Sequence, residues 1–313
     1  MVFKNISINK GIYILITGIF FYVLLLFISD TDKIFILLNQ IPFDRYIAIL
    51  SLSVLTLLIY GWRHQVLLNK LGINLNYKDC FLIHTAGIAM IITPGGVGSV
   101  IRSYILKRKT GYSISSTTPI LIYERWLDIV CLTSIIGILL YWNNIIETQI
   151  VFCISLFLSI SIFLIFKNSF GLSIFNKILI KTKILKKFTI DAEEFKESTQ
   201  KLILPKNTIQ LLLISFLTKL VPLTAVYLVF DLFNLNIDIF NTSQIYFTSQ
   251  IIGLLSFVPG GIIITEGGML GLLLKNGIDF TTASLLVFLI RILTFWFPLF
   301  IGFITLKFML SKN

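Results

Sequence analysis

The chain alternates between long apolar stretches and short polar connections over most of its 313 residues. Each apolar stretch is about 20 residues long, the length that a helix needs to cross the hydrocarbon core of a bilayer. The stretches cover roughly residues 11–29, 44–62, 79–101, 115–141, 145–166, 208–232, 242–264 and 281–306. They are apolar on all sides and do not alternate like barrel strands, so the pattern predicts an all-α polytopic membrane protein.

Two of these stretches contain residues that interrupt helices. The interrupting residues are Pro94, Gly95, Gly96 and Gly98 in the third stretch, and Pro259, Gly260 and Gly261 in the seventh. Proline removes a backbone donor and glycine frees φ, so a straight helix through either group is disfavoured. We therefore expect broken helical hairpins at 79–101 and 242–264, hinged at these residues.

Lysine and arginine indicate the orientation, because they concentrate in cytoplasmic loops. With the N-terminus inside, the loops assigned to the cytoplasm hold 20 of the 26 basic residues. These loops are 1–10, 63–78, 102–111, 167–207 and the C-terminus. Stretch 79–101 then begins and ends inside, so it has to re-enter, and 242–264 re-enters from outside. The sequence thus predicts six full transmembrane helices and two re-entrant hairpins, with both termini cytoplasmic.

Each broken stretch is followed by a glycine and then an arginine, at nearly the same spacings in the two copies. From the proline to the next loop glycine is 17 residues in one copy and 18 in the other, and from that glycine to an arginine is 14 in both. The glycines are Gly111 and Gly277, and a Ser/Thr cluster after each (113–118 and 281–282) is expected to cap the next helix. Because the copies enter from opposite faces, this is an inverted-topology repeat, as in alternating-access transporters. The halves are 1–166 and 208–313, joined by a lysine-rich cytoplasmic linker at 167–207 with a surface helix near 191–197.

Composition narrows the function. Hydrophobic residues make up 56% of the chain and charged residues 13%, which excludes a soluble enzyme, a secreted disulfide scaffold and a disordered tail. The net charge of +11 follows from the loop bias, so no nucleic-acid partner is expected. Nucleotide, metallohydrolase and serine-hydrolase motifs are missing, so we assign no cofactor, metal or catalytic residue. The histidines, His64 and His84, are interpreted as isolated.

Ionisable residues inside the apolar stretches form the candidate site, because each one costs about 2.5–3.5 kcal/mol to insert and usually faces a cavity or a partner. They are Glu124, Arg125, Asp128, Lys219 and Arg291, with Glu266 just past the second break and Arg102 after the first. At about 1.5 Å per residue along a helix, Arg125, Lys219 and Arg291 reach similar depths. We expect these cations to neutralise an anionic headgroup and the carboxylates to balance them; structural ion pairing is the alternative interpretation.

The run Pro-Gly-Gly-Val-Gly-Ser-Val-Ile-Arg at 94–102, followed by Glu-Arg-Trp-Leu-Asp at 124–128, resembles the flippase-like membrane domain of lysylphosphatidylglycerol synthetases. The pattern at 259–266 and Arg291 fit the same family, and the resemblance covers nearly the whole chain. It implies translocation of a lipid with a phosphate-containing headgroup, either an aminoacyl-phospholipid or a polyprenyl-linked lipid. The soluble transferase domain of the synthetases is absent, so the chain is not expected to be a synthase itself.

Together these observations predict a lipid flippase or transporter of a prokaryotic cytoplasmic membrane, whose partner is an anionic membrane lipid. The alternative is a membrane-embedded enzyme of glycosyl- or aminoacyl-transfer type that acts on a lipid-linked substrate, with Glu124 and Asp128 as acid and base. Whether the chain forms a homo-oligomer or joins a partner membrane enzyme is left open.

Overall fold

The computed structural model describes residues 8–39, 41–93, 98–142, 145–167, 191–233, 235, 237–256 and 258–311, and every regular element in these ranges is helical. The first half contains α1 (Ile8–Ile28), α2 (Thr31–Asn39), α3 (Phe43–Lys70), α4 (Tyr77–Ile88), α5 (Ile101–Thr110), α6 (Ile114–Leu139) and α7 (Ile146–Lys167). The second contains α8 (Ala192–Leu202), α9 (Pro205–Leu232), α10 (Ile239–Leu255), α11 (Ile264–Lys275), α12 (Phe280–Arg291) and α13 (Phe297–Ser311). The predicted all-α class is confirmed.

Within the described ranges, four helical segments are long and apolar enough to cross a membrane. They are Phe43–Lys70, Ile146–Leu164, Pro205–Leu232 and Phe280–Ser311. The last runs through α12, a π-helical turn at Ile292–Trp296 and α13. Pro298 lacks the N–H that would close the preceding turn, which accounts for the π-helical geometry there. Helix α6, with 26 residues, is also long enough, but Glu124, Arg125 and Asp128 interrupt its apolar character.

The first broken stretch folds as two helical arms. Helix α4 continues into a 3₁₀ turn at Ala89–Ile92, and the chain resumes as α5, which packs against α4. The predicted hinge residues Pro94, Gly95 and Gly96 lie outside the described residues, whereas the Gly98 N–H donates to Thr93 Oγ1 at 2.7 Å. The prediction of a loop at 102–111 was wrong, because these residues extend α5 until Gly111 takes φ = 80° and ends it.

The second broken stretch is interrupted where the sequence predicts. A short 3₁₀ turn occupies Pro259–Gly261, and Gly260 and Gly261 adopt φ values of 64° and 63°. A Cβ on Gly260 would lie 2.5 Å from the Phe295 ring, so both the conformation and the space require glycine. The return arm extends to Lys275 as α11 rather than ending at 264, and Gly277 ends it at φ = 81°, as Gly111 does in the first half.

Polar residues begin several helices. The Ser113 side chain accepts from the Ser116 N–H and caps α6, as predicted. The prediction for α12 was wrong, since its cap is Asp279, which accepts from the Thr282 N–H. Asp191 caps α8, which packs against α6 and buries Phe195.

The surface helix predicted in the linker is therefore confirmed as α8. The lysine cluster at 177–187 lies outside the described residues. Helix α9 begins at Pro205, slightly before the predicted boundary at 208, because proline is well suited to the first turn of a helix. The short helix α2 was not predicted.

Candidate functional site

A cavity of about 200 Å³ lies among α3, α4, α5, α6, α9, α10 and the π-helical turn. Among the described residues six charged side chains line it, and we call them the cavity cluster: Arg63, Arg102, Glu124, Arg125, Asp128 and Lys219. Five of the seven binding residues predicted from the sequence belong to this cluster. Glu266 and Arg291 do not line this cavity.

Glu124 is held by an arginine from the first broken hairpin. Arg102 Nη2 donates to Glu124 Oε2 at 2.6 Å, while Arg102 Nη1 donates to His84 Nδ1 at 2.9 Å. Both members of the ion pair are buried. Gly87 makes this possible, since a Cβ there would lie 2.5 Å from Arg102 Cγ.

The two histidines, which sequence reasoning treated as isolated, meet beside the same carboxylate. His64 Nδ1 lies 3.4 Å from Glu124 Oε1, and the two imidazole ring centroids are 5.6 Å apart. Tyr60 stacks on His84 with 5.3 Å between ring centroids. Helices α3 and α4 pack side by side, which brings together residues 20 positions apart in the chain.

His64, His84 and Glu124 place one ligand atom each within 4.8 Å of one another, a spacing that a metal ion could use. The Arg102 guanidinium, however, already donates to atoms of both Glu124 and His84. A cation at this point would meet the positive charge of Arg102 at short range. The arrangement therefore fits a hydrogen-bonded charge cluster better than a metal centre.

Asp128 is shared by two cations. Its Oδ1 accepts from Arg63 Nη1 and from Lys219 Nζ, both at 2.8 Å. Arg63 also donates to Ser215 Oγ at 3.1 Å and is 2% exposed. The sequence did not identify Arg63, because it was assigned to a loop, whereas α3 continues to Lys70 and carries it into the interior.

Arg125 differs from the other cations of the cavity cluster. It lines the cavity but its side chain is exposed in the protein. Among the described residues no carboxylate lies within 4.0 Å of its guanidinium. Arg125 is thus a cation available to a bound group.

Some buried polar atoms in residues around the cavity have no hydrogen-bond partner. Considering only described residues that line it, these atoms are Arg63 Nε, Arg102 Nε and Gln250 Nε2. All three are N–H donors, and unsatisfied buried donors call for an acceptor. The three atoms are enclosed in the cavity wall rather than exposed on its surface, so the charged groups decide what the cavity can bind.

Glu266 and Arg291 form a second buried group, which we call the sealed pair. Glu266 Oε1 accepts from Arg291 Nε and from the Tyr22 hydroxyl, both at 2.7 Å. Arg291 Nη2 donates to the Gly260 carbonyl at 3.0 Å, and the guanidinium lies 4.4 Å from the centre of the Phe295 ring. Glu266 is 0% exposed and Arg291 3%. Tyr22 was not predicted, because a tyrosine within an apolar stretch carries no signal of its own.

A known protein family matches most of the chain. The family described as the lysylphosphatidylglycerol synthase TM region matches residues 14–302. No solved structure matches the chain.

Curated relatives are archaeal membrane proteins. A UPF0104 membrane protein of Methanocaldococcus jannaschii is 28% identical over 209 residues, covering 66% of this chain and 87% of the relative. One of Methanothermobacter thermautotrophicus is 21% identical over 313 residues, covering 92% of both chains. One of Pyrococcus horikoshii is 23% identical over 320 residues, covering 94% of this chain and 95% of the relative.

Proposed function

Since the chain belongs to the family of the lysylphosphatidylglycerol synthase TM region, we propose that it moves a lipid with a phosphate-containing headgroup across a prokaryotic cytoplasmic membrane. The headgroup occupies the cavity, while the acyl or prenyl chains stay in the bilayer. The family and the apolar helices make the chain an integral multi-pass membrane protein. The transport role is our inference from the cavity.

One observation carries this proposal: the cavity presents more positive charge than its own carboxylates compensate. In the described part of the chain, four cations and two carboxylates line it. Guanidinium groups match the geometry of phosphate oxygens, so a phosphate supplies both the charge and the acceptors.

The surrounding helices support movement of the headgroup rather than simple binding. Both broken hairpins lead into a helix that ends at a left-handed glycine, Gly111 or Gly277. In each, an ion pair joins the second arm to the next helix, Arg102 to Glu124 and Arg291 to Glu266. These similarities favour an inverted-topology repeat with six crossings, and broken helices next to a central cavity are typical of alternating-access transporters.

The two carboxylates of the cavity are poorly placed for acid–base catalysis. Glu124 is engaged by Arg102 and Asp128 by Arg63 and Lys219. Both carboxylates are already committed to these ion pairs, so neither is free to act on a substrate as acid or base. We therefore favour transport over the enzymatic alternative.

Transport is tested in proteoliposomes with a fluorescent anionic phospholipid, by following the fraction that a membrane-impermeant reductant bleaches. We expect the full chain to exchange the lipid between leaflets and Arg125→Gln to slow exchange at least about tenfold, because a charged hydrogen bond contributes about 1.5–3 kcal/mol. Arg108→Gln removes the same charge from an exposed position on α5 outside the cavity and serves as the matched control. Exchange at the unmodified rate in Arg125→Gln, or none in the unmodified protein, would contradict the proposal.

Topology is tested separately by labelling cysteines introduced at Lys107 and Lys275 from each side of the membrane. The repeat places these two positions on opposite sides. Labelling of both from the same side would exclude the inverted topology.

A further inference from the structure

The charges of the cavity cluster also indicate which kind of phosphate group the ligand carries. This inference rests on the proposed function. Four of the six charged groups are cations, and two are carboxylates, which leaves two positive charges uncompensated. Neither histidine adds a positive charge to this count. His84 Nδ1 accepts a hydrogen bond from Arg102, so that nitrogen carries no proton. His64 does not line the cavity.

The two uncompensated charges lie close together. Arg102 and Glu124 neutralise each other through a 2.6 Å contact. Asp128 has one negative charge for two cations, Arg63 and Lys219, so one positive charge is left over at that point. The second is Arg125, which lacks a carboxylate partner among the described residues and precedes Asp128 by three positions on α6, so both project from the same side of that helix.

A phosphate diester carries one negative charge and would leave one of these cations uncompensated in a membrane interior, where lone charges are strongly disfavoured. A phosphate monoester carries about −1.5 to −2 at pH 7 and presents three terminal oxygens. We propose that the cavity binds the terminal phosphate monoester of a lipid, as a dianion bridging Arg125 and the Arg63–Lys219 side of Asp128.

The size of the cavity agrees with a small headgroup. Its volume of about 200 Å³ is below the roughly 300–1,000 Å³ of pockets that enclose drug-sized ligands. A phosphoryl group with its first carbon atoms fits such a space.

Binding to the full chain in nanodiscs of zwitterionic lipid distinguishes the charge states. The probes are phosphatidic acid and farnesyl monophosphate, both monoesters, phosphatidylglycerol, a diester, and diacylglycerol, which is neutral. At about pH 7.5 we expect both monoesters to bind at least about tenfold more tightly than the diester, the ratio that one additional charged contact gives. Near pH 5 this preference should shrink, because the second pKa of a phosphate monoester is about 6. Unequal affinity of the two monoesters would show whether the glycerol or the prenyl part is also recognised.

Two variants test the residues. Lys219→Met and Arg125→Gln each remove one of the uncompensated charges, and each should reduce the ratio of monoester to diester affinity to near one. Arg125 is exposed and its replacement should not disturb folding, while Arg108→Gln should leave the ratio unchanged.

The outcomes separate this inference from the proposed function. Equal, pH-independent binding of monoesters and the diester, both above diacylglycerol, would overturn the dianion assignment and leave anionic-lipid binding intact. Anionic probes that bind no better than diacylglycerol would overturn both. A preference for monoesters that persists in Arg125→Gln and Lys219→Met would place the dianion elsewhere and overturn the assignment to this cavity.

Discussion

The cavity cluster and the sealed pair both bury charged groups among apolar helices, yet they differ in two respects. The cavity cluster has two more cations than carboxylates and surrounds an open space. The sealed pair has one of each, with Tyr22, the Gly260 carbonyl and the Phe295 ring closing around them. Both link the second arm of a broken hairpin to the next helix, but the arginine precedes the glutamate in the first half and follows it in the second.

This difference distinguishes a binding region from a structural one. A charge that its neighbours neutralise and enclose holds helices together but offers nothing to a ligand. A charge left uncompensated beside a cavity disfavours the empty protein and becomes favourable when an anion arrives. Sequence reasoning assigned Arg125, Lys219 and Arg291 to one site because they lie at similar depths, whereas the structure places Arg291 apart from the other two.

The largest effect is expected for Arg291→Met, which leaves Glu266 buried without its cation. Breaking a buried ion pair in this way costs about 3–5 kcal/mol, so the melting temperature in detergent should fall steeply, and added anionic lipid should not restore it. The double variant Arg291→Met/Glu266→Gln removes the lone charge and should recover much of the loss. A double variant no more stable than the single one would argue against the sealed pair as a mutually neutralising unit.

Asp128→Asn makes the equivalent change in the cavity cluster and should respond differently. Arg63 and Lys219 lose their shared carboxylate, so the free protein should be destabilised by about 1.5–3 kcal/mol. Because the cavity then holds three uncompensated cations, an alkyl phosphate should raise the melting temperature of this variant more than that of the unmodified protein. The same thermal shift in both proteins would show that the Asp128 charge does not act on the ligand.

Gly260→Ala tests the left-handed backbone at Gly260, whose carbonyl accepts a hydrogen bond from Arg291. A left-handed conformation costs a residue with a Cβ about 1–2 kcal/mol, and the new methyl group would also displace Phe295. Gly267→Ala is the matched control, since Gly267 lies within α11 with open space around it, and alanine there should stabilise the helix by about 0.5–1 kcal/mol. Changes of the same sign in the two variants, measured by chemical unfolding, would exclude this conformational explanation.

The smallest effect is expected at the exposed pair of Lys33 and Asp279, 2.9 Å apart. Partial burial raises the pKa of Asp279, but hydrogen bonds from Lys33 and Thr282 outweigh it and lower the pKa to about 2. The ordinary value is about 3.9, so the stabilisation is complete above about pH 4 and is lost as the pH falls toward 2. Lys33→Ala should reduce the free energy of unfolding by less than about 1 kcal/mol, because solvent screens the pair. A loss as large as that of Arg291→Met would mean that burial does not separate the two kinds of ion pair.

Much of the fold followed from local sequence. The apolar stretches gave the long helices, and Pro259 with Gly260 gave the position of the second break, since both act on their own backbone. The return arm α5 was missed because its basic residues read as a loop, and α11 was missed because the apolar stretch was taken to end at 264 and three glycines follow. Arg102 and Glu266, which begin those arms, are tolerated in helices because each meets an oppositely charged partner on the next helix.

The residues of the candidate site were likewise only partly predictable from the sequence. Arg125 and Lys219 could be identified from sequence, since any charge inside an apolar stretch is conspicuous. Arg63 and His64 could not, because they follow a stretch whose apolar pattern ends before the helix does. Gln250 was missed as well, since an amide in a helix becomes significant only when its donor is left without a partner.

The sequence alone determined that the chain is a helical membrane protein, where two of its helices are interrupted and which charges lie among apolar residues. These properties depend on composition and on residues near one another in the chain. Only the tertiary structure decided which charges neutralise each other, which remain free, and which face a common cavity. Ion pairing and enclosure depend on distances of a few ångströms between residues far apart in sequence, and helix packing fixes those distances.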